Sequence, residues 1–245
     1  MALSLVSVNI EWDKHLDTVL PFLREERADV TCVQELLEQD IALFEEACGQ
    51  LIMYSPVGYL ERGTMLTIGC GIFSRVPFIE RGERYYVGAR DTIRVDDEKS
   101  DIGTHVLSYG SFAKEGVEYR IATTHLTWSK DGESTAEQLE DLNKLFAELD
   151  SIGEFALCGD FNAPRGRETF SRLAAKYQDN IPTECTTSID MRVHKTKDIP
   201  EARARVATYM VDGLFTTPGY SAKDVRLQFG VSDHAAIVAT IEKAP

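Results

Sequence analysis

The sequence predicts an α/β fold in which two sheets pack face to face and helices cover the outside. Three observations carry this. Apolar runs of strand length outnumber helical patterns, and the helical patterns lie between those runs without a regular strand–helix alternation. Polar residues with chemical potential also close the runs in both halves of the chain, so a boundary near the middle would split them. Residues 1–245 are therefore expected to form a single domain, and that length is ample for one buried core.

The first run, residues 3–8, ends at Asn9. Asp13 can cap a helix reaching about Ala28, with Leu16, Val19, Leu20 and Leu23 on one face. Pro21 lies inside that pattern and calls for a late start or a kink. A strand over 30–34 runs into Glu35, and a helix follows near 38–48. Residues 51–60, 65–73, 83–88, 102–112 and 117–125 read as strands, with the acidic segment 91–101 as a solvated loop. Ser134 opens a helix with Glu137 completing a capping box, and Leu139, Leu142, Leu145, Phe146 and Leu149 form its apolar face. A short strand over 155–159 precedes Asp160 and Asn162. A helix near 167–176 and a polar stretch to about Arg205 come next, then strands near 207–216, 223–229 and 235–241.

Composition narrows the partners. The chain carries 26 basic and 40 acidic side chains, a formal net charge of -14 that works against sequence-independent binding of polyanions. Five cysteines, widely spaced and without a Cys-x-x-Cys pair, argue against a disulfide framework or a zinc site and for a reduced intracellular protein. The N-terminus shows no basic region followed by an apolar stretch, and no apolar run has the length of a membrane span. A cytoplasmic location, without membrane association or an evident protein partner, is the expectation.

The polar strand ends carry the chemistry. Asn9, Glu35, His125, Asp160, Asn162, Asp233 and His234 supply hard oxygen donors, amides, a carboxylate base and two imidazoles. A rigid sheet can aim such groups into one cleft, and together they suit metal-assisted attack on a phosphate. Taken singly, each has a plainer reading. Asn9 is a turn residue, Glu35 a helix N-terminal charge, Asp233 a cap, and Gly159-Asp160-Phe161-Asn162 a capped turn.

Gln34-Glu35, Thr124-His125-Leu126, Gly159-Asp160-Phe161-Asn162, Val211-Asp212-Gly213-Leu214-Phe215 and Ser232-Asp233-His234 occur in one order, each at a predicted strand end. This series resembles the endonuclease/exonuclease/phosphatase superfamily over residues 9–241, nearest to its compact members such as tyrosyl-DNA phosphodiesterase, deoxyribonuclease I and exonuclease III-type enzymes. The resemblance implies a four-layer α/β sandwich of two mostly antiparallel sheets flanked by helices. It implies a Mg2+-dependent hydrolase of phosphoester or phosphodiester bonds, with Mn2+ as a substitute metal. Glu35 would be the direct metal ligand, with Asn9 and Asp233 supporting the metal and its waters. His234, held by Asp212, would contact the scissile phosphate. Asp160 would orient or deprotonate the attacking water, and Asn162 would donate to a phosphoryl oxygen. His125 matches a histidine of the deoxyribonuclease and sphingomyelinase branches that protonates the leaving oxygen or binds phosphate. Exonuclease III-type apurinic endonucleases have a tyrosine there, so this chain departs from them.

The expected substrates are a nucleotide, a DNA or RNA end, or a small phosphoester. The alternatives are a phosphoinositide or phospholipid headgroup, or a catalytically silent scaffold of the same fold. Arg165 and Arg167, just after Asn162, either reach a second phosphate or belong to the solvated surface. Trp128 either stacks on a base or sugar or packs at the base of its loop. The cluster from Arg192 to Arg205 either steers an anion or is a flexible loop.

Overall fold

The computed structural model describes residues 1–96 and 103–244. Its elements are β1 (Ala2–Asn9), α1 (Leu16–Glu26), β2 (Val30–Leu37), α2 (Ile41–Cys48), β3 (Gln50–Glu61), β4 (Met65–Ser74), β5 (Phe78–Val87), β6 (Arg94–Asp96), β7 (His105–Lys114), β8 (Val117–His125), α3 (Ala136–Asp150), β9 (Ala156–Asp160), α4 (Glu168–Lys176), β10 (Gln178–Asp179), α5 (Pro200–Val206), β11 (Asp212–Thr216), β12 (Tyr220–Gln228) and β13 (Ala236–Lys243). Among the described residues, seven strands form one sheet in the order β12-β13-β1-β2-β4-β3-β6, and six form a second in the order β10-β11-β9-β8-β7-β5. Antiparallel pairing dominates, and each sheet has a parallel pair near its centre, β1 with β2 and β8 with β9.

Alternation along the strands explains the layering. In β1, Leu3 and Leu5 face the second sheet and join Cys32, Ile121, Cys158 and Leu214 in the core between the sheets. Val6 and Val8 point the other way and pack under Val19, Leu23 and Phe44 of α1 and α2. Leu107, Ala122 and Leu157 of the second sheet likewise meet Leu142, Leu145 and Leu149 of α3 and Phe170 and Leu173 of α4. The result is helix, sheet, sheet, helix: the four-layer sandwich.

Several expected boundaries move. α1 begins at Leu16, three residues past Asp13, and runs through Pro21. Thr135, not Ser134, caps α3 by accepting from the Gln138 amide at 3.1 Å. Ser134 serves the next helix instead, its hydroxyl accepting from the Thr169 amide at 3.0 Å. β5 starts at Phe78 rather than 83 because it is a sheet edge, where exposed polar residues need not alternate with apolar ones. Part of the expected 91–101 loop is strand, as β6 pairs in parallel with β3 through Gly58 opposite Arg94. Residues 97–101 of that loop and the expected strand start at 102 lie outside the described residues. β11 begins at Asp212, five residues later than 207. Among the described residues no helix is long and apolar enough to cross a membrane.

Gly159 sets how closely the parallel pair β8–β9 can approach. It sits opposite Thr124 with φ of 144°, and a Cβ there would lie 2.0 Å from the Thr124 carbonyl oxygen. Both the backbone conformation and the contact exclude a side chain. Gly159→Ala should cost about 3 kcal/mol or more of unfolding free energy in a urea titration. A loss within about 0.5 kcal/mol would contradict this view of the strand pair.

Candidate active site

β1 and β2 run the same way, as do β8 and β9, so their C-terminal ends collect at one edge of the sandwich. Asn9 closes β1, and His125 and Asp160 stand opposite each other at the ends of β8 and β9. The antiparallel neighbours enter from the same edge. Asp212 opens β11 opposite Asp160, and Asp233 and His234 lie just before β13. Six residues scattered over the sequence are thus brought to one place by strand direction.

Glu35 reaches that place through a backbone irregularity. Val30, Cys32 and Gln34 point between the sheets, so strict alternation would turn Glu35 outward. Between Val33 and Leu36 the ladder with β4 carries one extra residue, and Glu35 adopts φ of 59°. The bulge re-aims the carboxylate inward, where its Oε1 accepts from Asn9 Nδ2 at 2.9 Å. A non-glycine residue in this left-handed region stores strain of about 1–3 kcal/mol. Gln34, one residue before, ties the sheets together beneath the cleft by donating to Thr123 Oγ1 at 3.0 Å.

Asp160 is the hub. Its Oδ1 accepts from the Asn162 backbone amide at 2.8 Å, fixing the turn that follows β9. Its Oδ2 accepts from Asn9 Nδ2 at 3.1 Å and lies 3.5 Å from His125 Nε2 and 3.8 Å from His234 Nε2. Asn162, itself at φ of 49°, donates from Nδ2 to the Leu126 carbonyl at 2.8 Å and retains a second amide hydrogen. His234 Nδ1 lies 2.8 Å from Asp212 Oδ2, and Ser188 Oγ accepts from the Asp212 amide at 3.2 Å.

Burial opposes charge on His234, but Asp212 and Asp160 outweigh it and raise its pKa well above the usual imidazole value. A histidine raised in the folded state adds stability that is fully present below its unfolded pKa of about 6.5 and is lost as pH rises through the folded value. Asp212→Asn should lower the His234 pKa in an NMR titration of its C2 proton and flatten that alkaline loss of stability. An unchanged titration would show that Asp212 does not hold the imidazolium.

Residues 6–234 match the Endonuclease/Exonuclease/phosphatase family. The chain belongs to this family. No curated protein matches it. Among solved structures, the fold is similar to the human Nocturnin catalytic domain with bound sulfate anion, at 15% identity over 99% of this chain and 94% of that one, with a TM-score of 0.70. It is also similar to a mannosyl-6-phosphatase from Bacteroides thetaiotaomicron, at 14% identity over 98% and 99% of the two chains, with a TM-score of 0.67. A third is D. rerio TDP2 humanized by 14 mutations, at 17% identity over 99% of both chains, with a TM-score of 0.65. These likenesses concern the fold.

The cleft holds about 480 Å3 and is lined by Glu35, His125, Asp160, Asn162, Asp233 and His234, with the half-exposed Trp128 at its rim. Asn9 and Asp212 lie buried behind this lining. Two expected substrate residues belong elsewhere. Arg165 does not line the cleft, because its guanidinium donates to Asp179 Oδ2 at 2.8 Å and to the carbonyls of Pro182, Cys185 and Ile181. Arg167 pairs with Glu133 on the surface. The Arg192–Arg205 region divides: Arg192 binds Asp190, whereas His194, Lys195 and Arg205 line the cleft. Sequence reasoning missed Glu11 and His105. Glu11 lies two residues past Asn9, and its amide donates to Asn9 Oδ1 at 3.1 Å. His105 opens an apolar strand and donates from Nδ1 to the His125 carbonyl at 2.9 Å.

The donor set fits a hard divalent cation of the kind the family employs. Among the described residues no lysine or arginine pairs with Glu35, Asp160 or Asp233, although all three face one cleft. Burial pushes the Glu35 carboxyl above its usual range; His125 and Asn9 offset part of this, and Asp233 adds to it. A magnesium-sized ion among such oxygens would remove that penalty. Among the described residues, two groups of three bring ligand atoms within 4.8 Å of one another, but Glu11 of the first is already bound to Lys14 and His15, and His234 of the second is committed to Asp212. In metal-free buffer Glu35→Gln should raise the thermal midpoint. Magnesium should raise the midpoint of the original protein and far less that of the variant. Equal shifts in both would remove Glu35 from the ion's coordination.

Proposed function

We propose that this chain is a magnesium-dependent hydrolase that cleaves a phosphoester or phosphodiester bond by in-line attack of water, with manganese as a substitute metal. The observation that carries this reading is the convergence on Asp160 Oδ2 of Asn9 Nδ2, His125 Nε2 and His234 Nε2 at 3.1, 3.5 and 3.8 Å, beside the Glu35 carboxylate, which among the described residues has no lysine or arginine partner. Glu35 would hold the ion, with Asn9 orienting the carboxylate and Asp233 adding charge behind it. The bound ion would withdraw charge from a phosphoryl oxygen and favour an attacking hydroxide.

The remaining chemistry belongs to the side chains. Asp160 orients the water and takes its proton, since its Oδ1 is fixed by the Asn162 amide and its Oδ2 faces the cleft. His234, kept as an imidazolium by Asp212, donates from Nε2 to the phosphoryl oxygen on which charge develops. The second amide hydrogen of Asn162 serves the same oxygen set. His125, held from behind by His105, protonates the leaving oxygen or binds the phosphate. The similar mannosyl-6-phosphatase and sulfate-bound Nocturnin structures support this reaction class.

An activated ester such as p-nitrophenyl phosphate or its bis-ester, assayed with magnesium, tests the proposal. Hydrolysis should stop with a chelator and return with excess magnesium. Asp160→Asn and His234→Gln should each lower kcat by about 10²-fold or more while leaving the circular dichroism spectrum unchanged. Turnover indifferent to the chelator and to both substitutions would refute the mechanism.

A further inference from the structure

The cleft is walled on one side, and its cations are mostly spoken for. The wall joins the turn after β8 to the segment before β11. Arg205 of α5 pairs with Asp131 at 2.6 Å, and Tyr209 Oη donates to the Asp131 carbonyl at 2.6 Å. Gly132 lets the two segments touch, because a Cβ there would lie 2.6 Å from Pro164 and 3.3 Å from Tyr209. Chain leaving the scissile position in this direction would have to break that clasp.

Charge leads to the same conclusion independently. Lys14 at the cleft is bound to Glu11 at 2.5 Å, and Arg205 is bound to Asp131. Among the described residues, Lys195 is the lining lysine or arginine without an ion pair. A polynucleotide gains its affinity by having several phosphates neutralised along a track, and a chain of formal net charge -14 with one such cation at the site offers no track. A cavity of about 480 Å3 is instead the size of a small-ligand pocket, and the half-exposed Trp128 at its rim gives a flat apolar face to a ring.

We infer that the substrate is a compact phosphoester carrying one ring-sized organic group, a phosphorylated sugar or a nucleotide, and not a linkage within a polynucleotide. The inference rests on the hydrolase reading above and selects its substrate. Sugar and nucleoside offer the pocket the same combination of a phosphate and a ring with hydroxyls, so the experiment includes both.

The test uses the full chain with magnesium and five substrates: p-nitrophenyl phosphate, a hexose 6-phosphate, a nucleoside 5′-monophosphate, circular single-stranded DNA and a linear single-stranded oligonucleotide. Phosphate release from the hexose phosphate or the nucleotide, with circles uncut and the oligonucleotide full length, is the expected result; whichever ester reacts identifies the ring. Cutting of the circles, or trimming of the oligonucleotide, at a turnover matching the small esters would overturn the inference while leaving the hydrolase reading in place. Inertness toward every substrate, p-nitrophenyl phosphate included, would overturn both. Trp128→Ala provides a second readout. It should raise KM about tenfold for the reactive ring ester, the order expected for losing one stacking contact, with little change for inorganic phosphate as inhibitor. Equal weakening of both would assign Trp128 to the fold and remove it from substrate recognition.

Discussion

Negative charge gathered at a desolvated sheet edge is the constraint on which the rest of this structure depends. Glu35, Asp160 and Asp233 face one cleft, and among the described residues none of them has a lysine or arginine partner. Such an arrangement costs folding free energy unless something offsets it. Asn9 offsets part by donating to both Glu35 and Asp160, and His234 contributes a positive charge that Asp212 keeps in place. The remaining imbalance is what a divalent cation and an anionic substrate would relieve.

The sandwich holds these groups together with few devices. The central parallel pair of each sheet brings its strand ends to the same edge. Gly159 allows the second pair to close up, and the bulge at Glu35 turns a side chain that alternation would have sent outward. Beneath the cleft, hydrogen bonds from Asn9 to Asp160 and from Gln34 to Thr123 join one sheet to the other. The positive φ values at Glu35 and Asn162 fall where function would demand precise aim, and strained backbone is commonly stored at such places.

Much of this was legible in the chain. Strand ends marked Asn9, His125 and Asp160 because an apolar run stops where the chain leaves the sheet, whereas β2 continues past Glu35 to Leu37. Other features were hidden for physical reasons. That Glu35 sits in a bulge depends on its register with β4, which no local pattern records. Arg165 follows the Asp160 turn closely enough to suggest substrate contact, yet tertiary packing delivers four acceptors to its guanidinium and stacks it near Phe170. The basic look of 192–205 was partly cancelled, since Arg192 binds Asp190 two residues before it and Arg205 binds Asp131, which is distant in sequence but near in space. β5 was cut short in sequence because an exposed edge strand leaves no alternation to follow.

Anomalous diffraction from crystals loaded with manganese would test the central claim most directly. The charge arrangement predicts a peak within bonding distance of the Glu35 carboxylate, on the side facing Asp160 and His234. A cleft without any peak, or density confined to Glu11 and His15, would contradict it.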